Sequence, residues 1–285
     1  FDAQWFGSFL KDHPNLKKIK GDIRDLSNIE LKGFNTIIHL ANVANDPAVE
    51  LNPTMSWEVN VLASQQLADK AVRNGIEHLI YASSGSVYGI KDEDKVTEDL
   101  SLVPISAYNK TKMVAERVFL SYKDQLKVHC LRPATVCGFS PRMRLDVAVN
   151  MLTFQALKNG KITVLGGDQT RPNIHIDDIS ELYIHLLENK QNIPSGNFNA
   201  GFENISIIEI ARKIQKHINC NIEIKESNDP RSYRQDSQKI LDTGFKPSKS
   251  VEIAITELIT AYKKGELLDK PEFYTVNWMK SNNIN

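Results

Sequence analysis

Tyr108 and Lys112 stand four residues apart in the run Tyr108-Asn109-Lys110-Thr111-Lys112, a spacing that puts both on one face of a helix. A free phenol titrates near pH ~10, too high for a base at neutral pH. An ammonium beside it favours the phenolate and draws that value toward the working range. Upstream, Ser83-Ser84-Gly85-Ser86-Val87-Tyr88-Gly89 follows an apolar run. In open α/β sheets ligands bind beyond the carboxyl ends of strands, so a hydroxyl there can hydrogen-bond a reacting oxygen. Each signal alone is weak: Tyr-Lys spacings arise by chance on solvated helices, and serines after strands are usually turn residues. Occurring together and in this order, they point to a proton-transfer site.

The elements that must position such a site alternate along the chain. Residues 16–19, 36–41, 78–83 and 127–136 read as strands, being β-branched or aliphatic runs without clean alternation, as expected of strands covered on both faces. Between the second and third, Asn52-Pro53 caps a helix. Trp57, Val61, Leu67, Ala68, Ala71 and Val72 follow near helical spacing, and Asn74-Gly75 ends the pattern. A second helix is expected over residues 107–122. Strands alternating with crossover helices give βαβ units and a doubly wound parallel sheet, so the fold class is α/β, Rossmann-type.

Later elements are shorter: a helix over 146–159, a strand over Lys161–Leu165, and a helix beginning at Asp177-Asp178. Another runs over 206–218 with Ser206 and Glu209 as a capping box, and a last one over 251–264. The expected division is residues 1–138 as a Rossmann-type domain. Residues 139–285 then form mainly a smaller α/β domain, free to cross back to the sheet.

Composition narrows the function classes. The chain has 285 residues with 41% hydrophobic and 25% charged content and a formal net charge of +0. That balance argues against nucleic-acid or anionic-membrane binding, which need a net basic surface. No run of apolar residues is long enough for a membrane span. Cys130, Cys137 and Cys220 are odd in number and form no C-x-x-C pair, which fits a reducing cytoplasm. Cys130, inside an apolar run, reads as a buried structural thiol. The opening residues carry no initiator Met and no signal-peptide pattern.

Taken in order, these motifs resemble the extended short-chain dehydrogenase/reductase family, in its NAD-dependent sugar-nucleotide epimerase/dehydratase branch. Gly21-Asp22-Ile23-Arg24-Asp25 resembles the segment whose Asp approaches the adenine. His39-Leu40-Ala41-Asn42 resembles the strand end lining the cofactor, and Glu58-Val59-Asn60-Val61 the helix whose Asn supports the site. Ser84 falls at the catalytic Ser/Thr position, 24 residues before Tyr108. Leu131-Arg132-Pro133-Ala134-Thr135-Val136-Cys137-Gly138 resembles the stretch passing the nicotinamide. Arg171-Pro172-Asn173-Ile174-His175-Ile176-Asp177-Asp178 resembles the segment whose Arg contacts a nucleotide diphosphate. Asn199-Ala200-Gly201 and Asp229-Pro230-Arg231-Ser232-Tyr233-Arg234 match later landmarks.

The resemblance implies Ser84, Tyr108 and Lys112 as catalytic residues. Asp22, Ile23, Leu40, Ala41, Asn42, Asn60, Tyr108, Lys112 and Pro133 would hold NAD, with NADP not excluded. Ser84, Ser86, Thr135, Arg144, Arg171 and Arg234 would meet a nucleoside-diphosphate sugar. It also implies a homodimer, and no metal ion. The expected activity is 4-epimerisation by transient oxidation at sugar C4. A dehydrogenase releasing a keto sugar is the alternative, and a binding protein without chemistry the non-enzyme one.

Departures qualify this picture. The family's glycine-rich phosphate loop is absent, so roughly thirty residues, one βαβ unit, are expected upstream of Phe1. Gly85 and Ser86 stand where 4,6-dehydratases carry an Asp-Glu pair, which disfavours dehydration. Pro172 and Asn42 replace the usual Asp and Ala. His39 and His175 lack metal-ligand spacing and read as packing or hydrogen-bonding residues. Asp177-Asp178 reads as a helix N-cap. Arg142 and Arg144 open either a phosphate grip or a solvated loop. Trp57 and Val61 face either a partner or the sheet.

Overall fold

The computed structural model describes residues 1–227 and 232–284. Its strands are β1 (Thr36–His39), β2 (His78–Ala82), β3 (Lys127–Pro133), β4 (Thr135–Cys137), β5 (Lys161–Leu165), β6 (Thr170–His175), β7 (Gly196–Ala200), β8 (Glu203–Ser206) and β9 (Asn221–Lys225). Four of them form a parallel sheet in the order β1-β2-β3-β7. Alternate residues of each strand feed opposite faces. Leu79, Tyr81, Val128 and Cys130 pack with Ala68, Ala115 and Phe119 on one face. Ile80 and Leu131 pack with Ile179, Leu182 and Leu186 on the other. Helices therefore cover both faces, as the uninterrupted apolar strands require.

The helices are α1 (Asp46–Leu51), α2 (Pro53–Trp57), α3 (Ala63–Arg73), α4 (Ala107–Leu120), α5 (Ala148–Asn159), α6 (Ile176–Glu188), α7 (Ile207–His217), α8 (Gln238–Leu241), α9 (Val251–Lys263) and α10 (Thr275–Ser281). A π-helical turn, Glu58–Leu62, joins α2 to α3. Asn52 caps α2 by accepting from Met55 N, with Pro53 at the first position. Gly75 follows α3 with φ of 73°, a conformation that suits glycine. Ser206 and Glu209 form the expected capping box of α7.

Residues beyond 139 do not stay apart from the sheet. Helix α6 covers one sheet face and β7 pairs with β3, so the chain crosses back over residues 176–200. The other later elements pack around their own core of Val149, Leu152, Ile162, Val164, Ile210, Ile214, Ile255 and Ile259. The small sheets β4-β6-β8 and β5-β9 accompany it.

Several expectations are corrected. Residues 16–19 form no strand: the isolated bridge between Asp2 and Lys20 lies just past them, too little pairing to fix an extended segment. The run 127–136 is two strands. Pro133 pairs with Ala200 in the main sheet, and Thr135 then pairs with Asn173 in another. Proline lacks the N–H that an unbroken ladder uses, and the chain changes sheets there. Helix α6 is capped by His175, whose ring accepts from Asp177 N, not by the two aspartates. Helices α1, α8 and α10 and strands β6 to β9 are not among the expected elements, and α9 is not the last helix. Trp57 is 39% exposed and Leu62 54% exposed, while Val61 is half-buried. Among the described residues no helix is long and apolar enough to cross a membrane.

Candidate active site

A cavity of about 610 Å³ opens at the carboxyl ends of β2 and β3. Ser83, Ser84 and Ser86 after β2, and Pro133 and Thr135 after β3, form one wall; Tyr108 and Asn109 of α4 form another. The loop before α5 contributes Arg144 and Asp146, β6 contributes Arg171, and the C-terminal segment contributes Tyr274, Val276 and Asn277.

Local sequence explains the placement. Ser106 caps α4 by accepting from Asn109 N, which starts the helix at Ala107, one residue before Tyr108. Ser84 caps a short 3-10 turn, Gly85–Tyr88, by accepting from Ser86 N. Gly89 closes that turn with φ of 73°, and a Cβ there would lie 2.0 Å from Val103 O, so only glycine fits.

Ser84 and Tyr108 line the same cavity. Lys112 sits behind the wall, 3% exposed, with Nζ donating to Ala82 O at 2.7 Å and standing 5.9 Å from the Tyr108 ring centroid. The expected depression of the tyrosine is not what this geometry produces. Burial pushes the Tyr108 phenol up to about 12, with the nearby Ser84 hydroxyl opposing it. Burial pushes the Lys112 ammonium down to about 7. Both charged forms lose their water here, and desolvation outweighs their mutual help.

Asn60 is fully buried and ties the wall together. Its Oδ1 accepts from Val43 N at 2.8 Å, and its Nδ2 donates to Val43 O at 3.0 Å and to Thr111 Oγ1 at 3.0 Å. A second cavity, of about 140 Å³, is lined by Asp22, Ile23, Leu40, Ala41, Asn42 and Val59 with Phe1, Trp5 and Phe6. Asn42 Oδ1 is buried there without a hydrogen-bond partner. Arg24 holds the Asp22 carboxylate at 2.7 Å and Glu58 at 2.9 Å.

Of the residues expected to meet a substrate, Ser84, Ser86, Thr135, Arg144 and Arg171 converge on the larger cavity. Arg144 Nε is 2.6 Å from Asp146 Oδ1. Arg234 is exposed and its neighbour Tyr233 lines the cavity instead; Asp229, Pro230 and Arg231 lie outside the described residues. Arg142 lies under the Phe6 ring at 4.1 Å and reaches Thr275 Oγ1. His39 meets Ser64 Oγ at 3.2 Å and stacks on Tyr81. His175 meets Glu257 at 2.9 Å and caps α6, using both ring nitrogens within the fold. Cys130, Cys137 and Cys220 are buried free thiols.

Sequence reasoning missed Asp46, Asp146, Tyr233 and the C-terminal wall. It also missed Glu116 and Arg132, although a charged residue inside the apolar run of β3, and a Glu four positions after Lys112, were signals of a buried pair.

The sequence matches the model of the NAD dependent epimerase/dehydratase family over residues 8–201. The uncharacterized protein y4nG of Sinorhizobium fredii is 30% identical over 219 residues, 75% of this chain and 53% of that protein. The chain thus spans about half the length of that relative. The UDP-glucose 4-epimerase of Lactobacillus helveticus is 26% identical, with 86% of this chain and 83% of that protein covered. Among solved structures, MoeE5 in complex with UDP-glucuronic acid and NAD superposes with a TM-score of 0.80 at 26% identity, covering 90% of this chain and 88% of that one.

Proposed function

This chain belongs to the NAD dependent epimerase/dehydratase family, and we propose that it is an NAD-dependent nucleoside-diphosphate-sugar 4-epimerase. The observation that carries this reading is the meeting of Ser84 and Tyr108, backed by Lys112, on the wall of one cavity at the strand ends. The similarity to a UDP-glucose 4-epimerase and to a protein solved with UDP-glucuronic acid and NAD supports a uridine-diphosphate hexose as substrate.

The residues present suit part of a dinucleotide. Leu40, Ala41 and Val59 offer apolar surface, and Asp22 with the partnerless Asn42 Oδ1 offers acceptors for amine or hydroxyl hydrogens. Asn60 holds the backbone of Val43 beside them. When bound, NAD supplies the acceptor and donor of hydride at the sugar carbon.

In its phenolate form Tyr108 takes the proton of the C4 hydroxyl and returns it after the keto sugar has turned over. Ser84 hydrogen-bonds the same oxygen. Lys112 anchors the strand end at Ala82 and lends its charge from behind. Arg171 and Arg144 bind the diphosphate or sugar through charge-assisted hydrogen bonds. The 1–138 part holds the cofactor. The 139–285 part, less the returning residues 176–200, holds the substrate. The exposed Trp57 and Leu62 on the α2–α3 side support a homodimer, and three buried thiols suit a reducing cytoplasm.

Dehydration fits poorly. A Cβ on Gly85 would come within 3.0 Å of Gln235 Nε2 and 3.3 Å of Pro133 O, so an acid at that position has to displace its neighbours. The test offers a panel of nucleotide sugars with NAD to the full-length protein and watches the nicotinamide absorbance. A C4 epimer with no net cofactor change supports the proposal. Accumulating NADH with a keto sugar makes the protein a dehydrogenase, and silence across the panel removes the enzymatic reading.

A further inference from the structure

Residues 274–277 reach the cavity from far along the chain, and Asp146 seats them there. Thr275 opens α10, whose own N-cap residue, Tyr274, gives no side-chain hydrogen bond. The first N–H groups of a helix have no partner within it. Here a partner comes from the loop before α5: Asp146 Oδ2 accepts from Thr275 N at 3.0 Å. The other oxygen, Oδ1, accepts from Arg144 Nε at 2.6 Å. A carboxylate has an acceptor oxygen for each of these donors, whereas a carboxamide has only one. Burial pushes the Asp146 carboxyl up, but Arg144 and the Thr275 N–H outweigh it and hold the group below the usual carboxylate range. At neutral pH it therefore meets both donors as the anion.

Other contacts fix the segment on either side of this point. Leu145 N donates to Phe273 O at 3.0 Å, and Met143, Leu145 and Phe273 share one apolar core. Further along α10, Met279 packs with Ile23, Val43 and Val59, and Trp278 Nε1 donates to Trp5 O at 2.6 Å. Between these anchors Tyr274, Val276 and Asn277 line the cavity. None of the anchors uses Asp146, so the segment can loosen there without the chain unfolding.

We propose that Asp146 is a positioning residue that builds this wall of the substrate cavity, one oxygen holding the Arg144 guanidinium and the other seating Thr275. This deepens the epimerase reading and rests on it for the ligand, a nucleoside-diphosphate sugar. With Nε engaged by Asp146, the terminal nitrogens of Arg144 are the donors that meet sugar or phosphate oxygens. Asp146 thus sets substrate affinity through its two neighbours.

The test compares Asp146→Asn and Arg144→Met, singly and together, in the full-length protein. Asp146→Asn keeps the shape, but its NH2 must face one of the two donors. Chymotrypsin cleavage after Tyr274 and Trp278, without substrate, should run at least about tenfold faster in Asp146→Asn, because the segment opens locally. It should keep the wild-type rate in Arg144→Met, where Asp146 still holds Thr275. The calorimetric Kd for UDP-glucose in the presence of NAD should weaken about tenfold in each single variant. The double variant should lose less than the product of the two, since one role of Asp146 is to hold Arg144. In turnover, Asp146→Asn should raise KM while kcat stays within about twofold.

Unchanged cleavage in Asp146→Asn, faster cleavage throughout the chain, fully multiplying losses of affinity, or a fall in kcat at constant KM would overturn the proposal. A protein that binds UDP-glucose and never turns it over defeats the epimerase reading, while affinity and cleavage still judge the wall. If no nucleotide sugar binds, the cleavage rates alone decide.

Discussion

Arg132 and Glu116 face each other as a buried ion pair, with Arg132 Nη2 2.5 Å from Glu116 Oε1 and both side chains no more than 2% exposed. The pair joins β3 to α4. Glu116 Oε2 also accepts from Ser83 Oγ at 2.9 Å, and Arg132 Nη1 donates to Tyr88 OH at 2.6 Å. The residues on both sides of the Ser84 turn are thus tied to the helix that carries Tyr108 and Lys112.

Removing one member of that pair strands a charge in the core. Glu116→Leu is expected to cost about 3–5 kcal/mol of folding free energy. The double replacement Glu116→Leu with Arg132→Met should recover much of that loss. Urea unfolding of the single and double variants checks this; a double variant no more stable than the single would refute it.

Tyr108→Phe keeps the ring and its packing and removes the acid–base group. Turnover is expected to fall at least about 10²- to 10⁴-fold with an unchanged melting temperature. Near-normal activity in the folded variant would rule out Tyr108 as the proton acceptor.

Lys112 carries a pH signature. Its folded value is about 7 against an ordinary 10.5, the cause being burial. Below about 7 the lysine is protonated in both states, and the cost of burying the charge is fully present. Between about 7 and 10.5 only the unfolded chain stays protonated, so stability rises with pH; above that window the cost is gone. Lys112→Met should therefore be more stable than wild type at neutral pH, by on the order of a few kcal/mol. The advantage should shrink as pH rises through the window, as denaturant unfolding at a series of pH values can show. It should also lose activity.

Arg171 faces the cavity from β6. Arg171→Met should raise KM for the nucleotide sugar roughly ten- to a hundred-fold, the worth of a lost charge-assisted contact. Because ground and transition states share that contact, kcat should change little. A fall in kcat at unchanged KM would place Arg171 in the chemistry instead.

Much of this protein could be read along the chain. The types of β1 to β5 and of α2 to α7 and α9 followed from apolar runs, caps and glycine stops, since these depend on neighbours a few residues apart. The spacing of Tyr108 and Lys112 placed both on one face for the same reason, and Ser84 followed a strand end where ligands bind.

The tertiary structure alone decided the rest. Residues 16–19 are apolar enough for a strand, yet a strand exists only where a neighbour completes its ladder, and Asp2 supplies a single bridge. Tyr233, Tyr274 and Val276 reach the cavity from more than a hundred residues beyond Tyr108, a separation no local pattern encodes. The raised phenol and lowered ammonium reverse the simple charge argument because desolvation depends on what surrounds a group. Sequence determined which groups share a helix face; only the packed fold determined how much water they keep.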